Sequence, residues 1–146
     1  MPDGVAYQNK DILFKVLSQN YENKSFKVLG LDLPKIKKVL PSNLPKIIAN
    51  ELRADNIFLL EDERILIVEY ESIVMQENFI KYLEYILAVL RTYLKTEKKI
   101  YDIIIAIIYT GDIKAALSGF ELASLKINIR QVFLSRACSK NLDLNN

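Results

Sequence analysis

Arg53-Ala54-Asp55-Asn56-Ile57-Phe58-Leu59-Leu60, Glu61-Asp62-Glu63 and Arg64-Ile65-Leu66-Ile67-Val68-Glu69-Tyr70-Glu71 read as two strands joined by a tight acidic turn, with carboxylates gathered at their open end. Both runs are short, rich in Ile, Leu, Val and Phe, and apolar on both faces, which suits an internal pair in a covered sheet. Side chains change face at every residue, so register decides whether the acids meet. An odd turn such as Glu61-Asp62-Glu63 sets Asp55 across from Glu69. Opposed residues carry Cβ atoms roughly 5 Å apart, and Glu69 and Glu71 lie about 6.6 Å apart along their strand.

Carboxylates gathered in this way repel one another unless a cation joins them. One of them then has a raised pKa, a mark of a site rather than of a scaffold. A hard divalent ion such as Mg2+ suits such a group, because it takes oxygen ligands and keeps waters while bridging to a substrate phosphate. Composition points the same way. The chain has no histidine, which removes His-dependent nucleophile pairs and metal hydrolases. Cys138 is its only cysteine, so an internal disulfide or Cys-rich zinc site is impossible. Its four glycines, Gly4, Gly30, Gly111 and Gly119, form neither a GxGxxG nor a Walker loop, and no nucleotide cofactor is expected.

The rest of the chain reads as one α/β domain spanning residues 1–146, with 51% apolar residues. Lys10 to Asn20 is an amphipathic helix with Ile12, Leu13, Val16 and Leu17 inward, and Lys35 to Leu40 is the first strand. Gln76 to Lys95 is the longest helix, placing Phe79, Leu83, Ile86, Leu87, Leu90 and Leu94 at helical spacing to cover one sheet face. Tyr101 to Thr110 is a central strand buried on both faces and ended by Gly111-Asp112. Ala123 to Leu134 supplies a further strand, and residues 139–146 form a frayed tail. The start lacks the apolar core of a signal peptide, and the longest apolar run, Ile103 to Tyr109, falls far short of the ~20 residues of a membrane span. A cytoplasmic protein without membrane contact is expected.

In order and spacing the chain resembles the PD-(D/E)XK nuclease superfamily, and within it the transposase-associated, recombination-promoting nuclease branch. The resemblance runs from Asn9-Lys10-Asp11-Ile12-Leu13-Phe14-Lys15 through Val39-Leu40-Pro41, Arg53-Ala54-Asp55 and Ile67-Val68-Glu69-Tyr70-Glu71-Ser72. It continues through Phe79-Ile80-Lys81-Tyr82-Leu83-Glu84-Tyr85 to Ile108-Tyr109-Thr110-Gly111 and Gln131-Val132-Phe133-Leu134-Ser135. It implies a restriction-endonuclease-like core, a mixed central β-sheet flanked by helices in α-β-β-β-α-β order. It also implies Mg2+- or Mn2+-dependent hydrolysis of DNA phosphodiesters and a possible homodimer.

Carried over by position, Asp55 and Glu69 resemble the metal-binding acids of the two half-motifs, Tyr70 lends its backbone carbonyl, and Asp11 matches the first-helix acid of some relatives. Glu71 departs from the pattern, standing where most of the superfamily has Lys and this branch often has Gln. A second cation held by Glu71, or Lys81 reaching in from the helix as a relocated lysine, would offset that charge. The same departure supports the alternative of a catalytically impaired nuclease-fold module that binds DNA or a partner subunit. Net charge is only +2, so DNA attraction would rest on local clusters: Lys35, Lys37, Lys38 and Lys46, or Arg91, Lys95, Lys98 and Lys99. Tyr82 and Tyr85 read as packing residues.

Overall fold

The computed structural model describes residues 23–44 and 52–135. A short 3-10 turn (Phe26–Leu29) is followed by β1 (Ile36–Leu40), β2 (Asn43–Leu44), β3 (Leu52–Arg53), β4 (Asn56–Leu60) and β5 (Ile65–Glu71). Helix α1 (Glu77–Glu97), β6 (Ile103–Tyr109), β7 (Gly119–Leu122) and β8 (Leu125–Phe133) complete the series. Six strands form one mixed sheet in the order β1-β4-β5-β6-β8-β7, while β2 and β3 make a separate two-stranded ribbon. β1, β4 and β5 pair antiparallel; β6 lies parallel to both β5 and β8. The expected helix at residues 10–20 and tail at 139–146 lie outside the described residues.

The acidic turn closes as its odd length requires. Leu59 pairs with Ile65 and Asn56 with Val68. The Leu60 N–H donates to Arg64 O at 2.9 Å, the Glu63 N–H donates to Leu60 O at 3.0 Å, and Glu63 sits in the left-handed region at φ 68°. A three-residue loop ending in a left-handed residue is a standard way to match the twist of two strands. Arg64 Nε bonds Asp62 Oδ2 and Lys37 Nζ bonds Glu63 Oε1, each at 2.6 Å, so neighbouring cations tie down the turn's acids.

Alternation along β4 and β5 splits the core into two layers. Ile57, Ile65 and Ile67 join Ile105, Ile107, Ile127 and Ile129 on the face that α1 covers with Phe79, Tyr82, Tyr85, Ala88 and Val89. Phe58, Leu60, Leu66 and Val68 join Ala106, Ile108 and Val132 on the opposite face, beneath Phe26, Leu31 and Leu33. β6 is the central strand, as its unbroken apolar run predicts.

Three details differ from the sequence reading. The first hairpin strand does not run unbroken from Arg53: β3 pairs with β2, and the chain turns at Ala54-Asp55 before β4 begins. The segment after Gly111 folds into a second hairpin, with Leu122 paired to Leu125, because β7 gives β8 an antiparallel partner on its outer edge. Finally, α1 turns Tyr82, Tyr85, Ala88 and Val89 inward, whereas Leu87 and Leu94, placed inward from their spacing, are 51% and 50% exposed. Tyrosine wins this face because its ring fills the core while its hydroxyl reaches a polar group at the edge. Among the described residues no helix is long and apolar enough to cross a membrane.

The two-layer arrangement predicts an asymmetry of cost. Ile67→Ala, at a site with no exposure, should lower stability by about 2–4 kcal/mol, whereas Val28→Ala, 81% exposed, should stay within about 0.5 kcal/mol. Urea unfolding of the two variants checks this.

Candidate functional site

Extending the β4–β5 register by one step past Asn56 and Val68 brings Asp55 opposite Glu69. The chain uses that closeness twice. The Asp55 N–H donates to Glu69 Oε1 at 2.9 Å, and the Tyr70 N–H donates to Asp55 Oδ2 at 2.9 Å. Each carboxylate is thus oriented by a backbone amide of the other strand. In a strand a residue's N–H and C=O leave the backbone on the same side, so the Tyr70 carbonyl faces this edge too. Asp55, Glu69 and Tyr70, the three described groups expected to bind metal, therefore stand together; Asp11 lies outside the described residues.

Glu69 is nearly buried, with 4% exposure, beneath Tyr85 of α1. Burial first, and the neighbouring Asp55 charge second, push its carboxyl from an ordinary value of 4.5 up to about 8; the amide of Asp55 and the charge of Lys81 offset this in part. Among the described residues Glu69 Oε2 has no hydrogen-bond partner. After the larger effect of their own burial, Glu71 chiefly pushes the Tyr82 phenol upward, and Glu69 chiefly that of Tyr85.

Glu71 shares the α1 side of β5 with Glu69 but is held apart from the pair. Lys81 Nζ bonds its Oε1 at 2.6 Å and the Tyr82 hydroxyl donates to the same oxygen at 2.9 Å. Lys81 reaches from the helix to the strand end, where its partner is Glu71. The strand end is locked from the other side, where the Thr110 N–H donates to Glu71 O at 2.9 Å. The expectation of three acids meeting at one point is replaced by a two-carboxylate pair beside a neutralised Glu71–Lys81 pair. Among the described residues no group of three or more Asp, Glu, His or Cys side chains is arranged to hold a metal.

The site lies at the carboxyl ends of the parallel strands β5 and β6, where loops rather than strands close the surface. The loop after β6 is pinned by Gln131, whose Nε2 donates to the carbonyls of Ala116 and Leu117 at 3.1 Å each and to the Tyr109 hydroxyl at 3.3 Å. An open apolar cleft between this loop and the start of α1 is lined by Met75, Gln76, Phe79, Tyr82, Tyr109 and Leu117. Sequence reasoning took Tyr82 as a packing residue and gave Tyr109 and Gln131 no role of their own. Tyr82 stands three residues after Phe79, the spacing of a shared helix face, and was legible as an inward residue but not as a donor to Glu71.

The described lysines of the two basic clusters gather away from the acids. Lys37 bonds Glu63, and Lys99 lies 3.9 Å from the same carboxylate, at the turn end of the hairpin. Six residues of strand separate Glu63 from Glu69, roughly 20 Å at about 3.3 Å per residue. β1 starts and α1 finishes at that far end, so Lys35, Lys37, Lys38, Lys98 and Lys99 follow; Lys46 lies outside the described residues.

Two measurements test this geometry. Glu69 holds a proton in the folded state over a pH range where the unfolded chain has lost it, so its contribution to stability is full below about 4.5 and disappears as pH rises to about 8. Urea midpoints should fall across that window, and Glu69→Gln should flatten the fall. Lys81→Met should cost about 1–2 kcal/mol near neutral pH by stranding the Glu71 carboxylate, and Glu71→Gln in the same chain should recover most of it. No protein-family model, curated protein or solved structure matches the chain.

Proposed function

We propose that this chain is a metal-dependent DNA endonuclease domain of the PD-(D/E)XK type, with Asp55, Glu69 and the Tyr70 carbonyl holding Mg2+ or Mn2+. The carrying observation is the reciprocal bonding of Asp55 and Glu69, which leaves a buried carboxylate oxygen facing its neighbour without a hydrogen-bond partner among the described residues. Two carboxylates and a carbonyl are a fitting donor set for a hard ion that completes its shell with water and substrate phosphate. A cation there also answers the electrostatic cost that holds a proton on Glu69.

The order of elements supports the same reading. An antiparallel meander of β1, β4 and β5, a covering helix and a parallel return strand β6 correspond to the β-β-β-α-β portion of a restriction-endonuclease-like core. When bound, the cation supplies Lewis acidity toward a phosphate oxygen and toward the attacking water. The protein groups orient and balance it. Backbone amides fix both carboxylates, Tyr85 limits water around Glu69, and Lys81 brings a positive charge near enough to act on Glu69. Among the described residues Lys81 is a cation placed to meet a phosphate, if Glu71 yields it.

That condition favours a second reading, a nuclease-fold module with impaired catalysis that binds DNA or a partner subunit. Its specific support is the 2.6 Å Lys81–Glu71 contact, together with the distance of the clusters' described lysines from the acids. The lysines of those clusters that are described therefore add little long-range attraction for duplex phosphates at this edge.

Isothermal titration of Mn2+ into the protein, beside a supercoiled-plasmid nicking assay, separates the readings. The endonuclease reading expects binding that tightens as pH rises toward about 8, release of a proton on binding near neutrality, and loss of both binding and nicking in Asp55→Ala. Proton-coupled binding without nicking assigns the chain to the impaired module. Nicking by Asp55→Ala at the level of the unmodified protein rejects the site.

A further inference from the structure

We propose that the cleft between the start of α1 and the loop after β6 seats one unpaired nucleobase, making single-stranded DNA the substrate this edge selects. The place of the phosphate rests on the nuclease reading. Buried rings of Phe79, Tyr82 and Tyr109 line the bottom of the cleft, and its rim is formed by Met75 and Leu117, 46% and 65% exposed. The rings are fixed before any ligand arrives. Phe79 stacks on Phe120 at 5.5 Å and meets Tyr82 edge-on at 6.1 Å, while Tyr109 stacks on Phe133 at 4.9 Å. Gln131 ties the rim to the bottom, because its amide nitrogen donates both to the Leu117 carbonyl and to the Tyr109 hydroxyl. The cavity measures about 50 Å3, room for about four waters at roughly 10–15 Å3 each. In the liquid those waters take up about 120 Å3, at about 30 Å3 apiece, which is the bulk of one heterocyclic base.

The polar groups around the cleft select the occupant. Lys81 Nζ stands over the Tyr82 ring, 5.5 Å from its centroid, so a cation borders the aromatic bottom. That combination fits a nucleotide, which joins a flat base to a phosphate. Gln76, at the mouth, makes no capping bond to α1, and among the described residues its amide has no partner. A free amide offers a donor and an acceptor side by side, the pattern with which Gln reads a base edge. An apolar side chain of a protein partner would use Met75 and Leu117 and leave both groups idle. The cleft also adjoins the acids. Tyr82 lines it and donates to Glu71 at 2.9 Å, and Glu71 lies about 6.6 Å along β5 from Glu69. A strand whose phosphate meets Asp55 and Glu69 therefore passes the cleft about one nucleotide away. In a duplex the base at that place is paired and stacked, and only an unpaired one has its face and edge free to enter.

The test is fluorescence anisotropy of the full chain in Mn2+ with labelled oligonucleotides, their integrity checked on a gel afterwards: a single strand, the duplex of the same sequence, and a strand of abasic spacers with as many phosphates. The single strand should bind about tenfold more tightly than either of the others. Met75→Ala combined with Leu117→Ala, both at exposed positions, should remove that preference and leave the Mn2+ affinity from isothermal titration unchanged. Gln76→Ala should shift the ratio of affinities for oligo-dA and oligo-dT by about threefold or more. A duplex or an abasic strand bound as tightly as the single strand overturns the proposal. So does a chain that binds none of the three, or a preference indifferent to the double substitution, and an unmoved ratio overturns the role given to Gln76. Base-dependent binding by a chain that takes up no Mn2+ keeps the cleft and rejects the metal site, whereas Mn2+ binding and nicking without the preference reject the cleft alone.

Discussion

Everything in the candidate site descends from one constraint, the parity of side chains across the β4–β5 hairpin. A turn of three residues, with Glu63 in the left-handed region, puts Asp55 opposite Glu69. A turn one residue shorter would send Glu69 to the far face, and with it Ile65 and Ile67, so the register that builds the site is also the register that buries the core. The break before β4 adds the second element. Because the chain leaves the ladder at Ala54-Asp55, the backbone amide and carboxylate of Asp55 are both available to β5 and bond Glu69 and the Tyr70 amide.

Carboxylates placed this deep are costly, and their surroundings show how the cost is met in two different ways. Glu71 receives a lysine and a phenol from the first turns of α1. Glu69 receives one backbone amide and is left facing Asp55, which drives its proton affinity upward. That inequality divides the acids into a settled pair and an unsettled one, and it is the unsettled pair that resembles a cation site. The same requirement orients α1. Bringing Lys81 and Tyr82 to Glu71 and Tyr85 over Glu69 fixes the rotation of the helix, which carries Ile80, Leu87 and Leu94 outward.

Charge is distributed along the sheet rather than around the site. The acids occupy the carboxyl ends of the parallel strands, and the turn end collects Lys37, Lys99 and their partner Glu63. The described lysines of the two clusters therefore contribute little field toward a polyanion at that edge. At that edge the described residues offer Lys81 and the loops that Gln131 and Thr110 hold in place.

The amino-acid sequence by itself determined the α/β class, the hairpin and its odd turn, the doubly buried β6, and the meeting of residues 55 and 69. These follow from periodicity and loop parity, which act between near neighbours in the chain. The tertiary structure decided what those near neighbours cannot specify. It chose which face of α1 turns inward, since Tyr82 and Leu83 are both apolar at helical spacing and only the position of Glu71 distinguishes them. It paired Glu71 with Lys81 across ten residues, added β7 to β8, and carried Lys37 and Lys99 to the end opposite the acids. Packing and charge pairing act through space, and a linear pattern records them only where the fold has already brought the partners together.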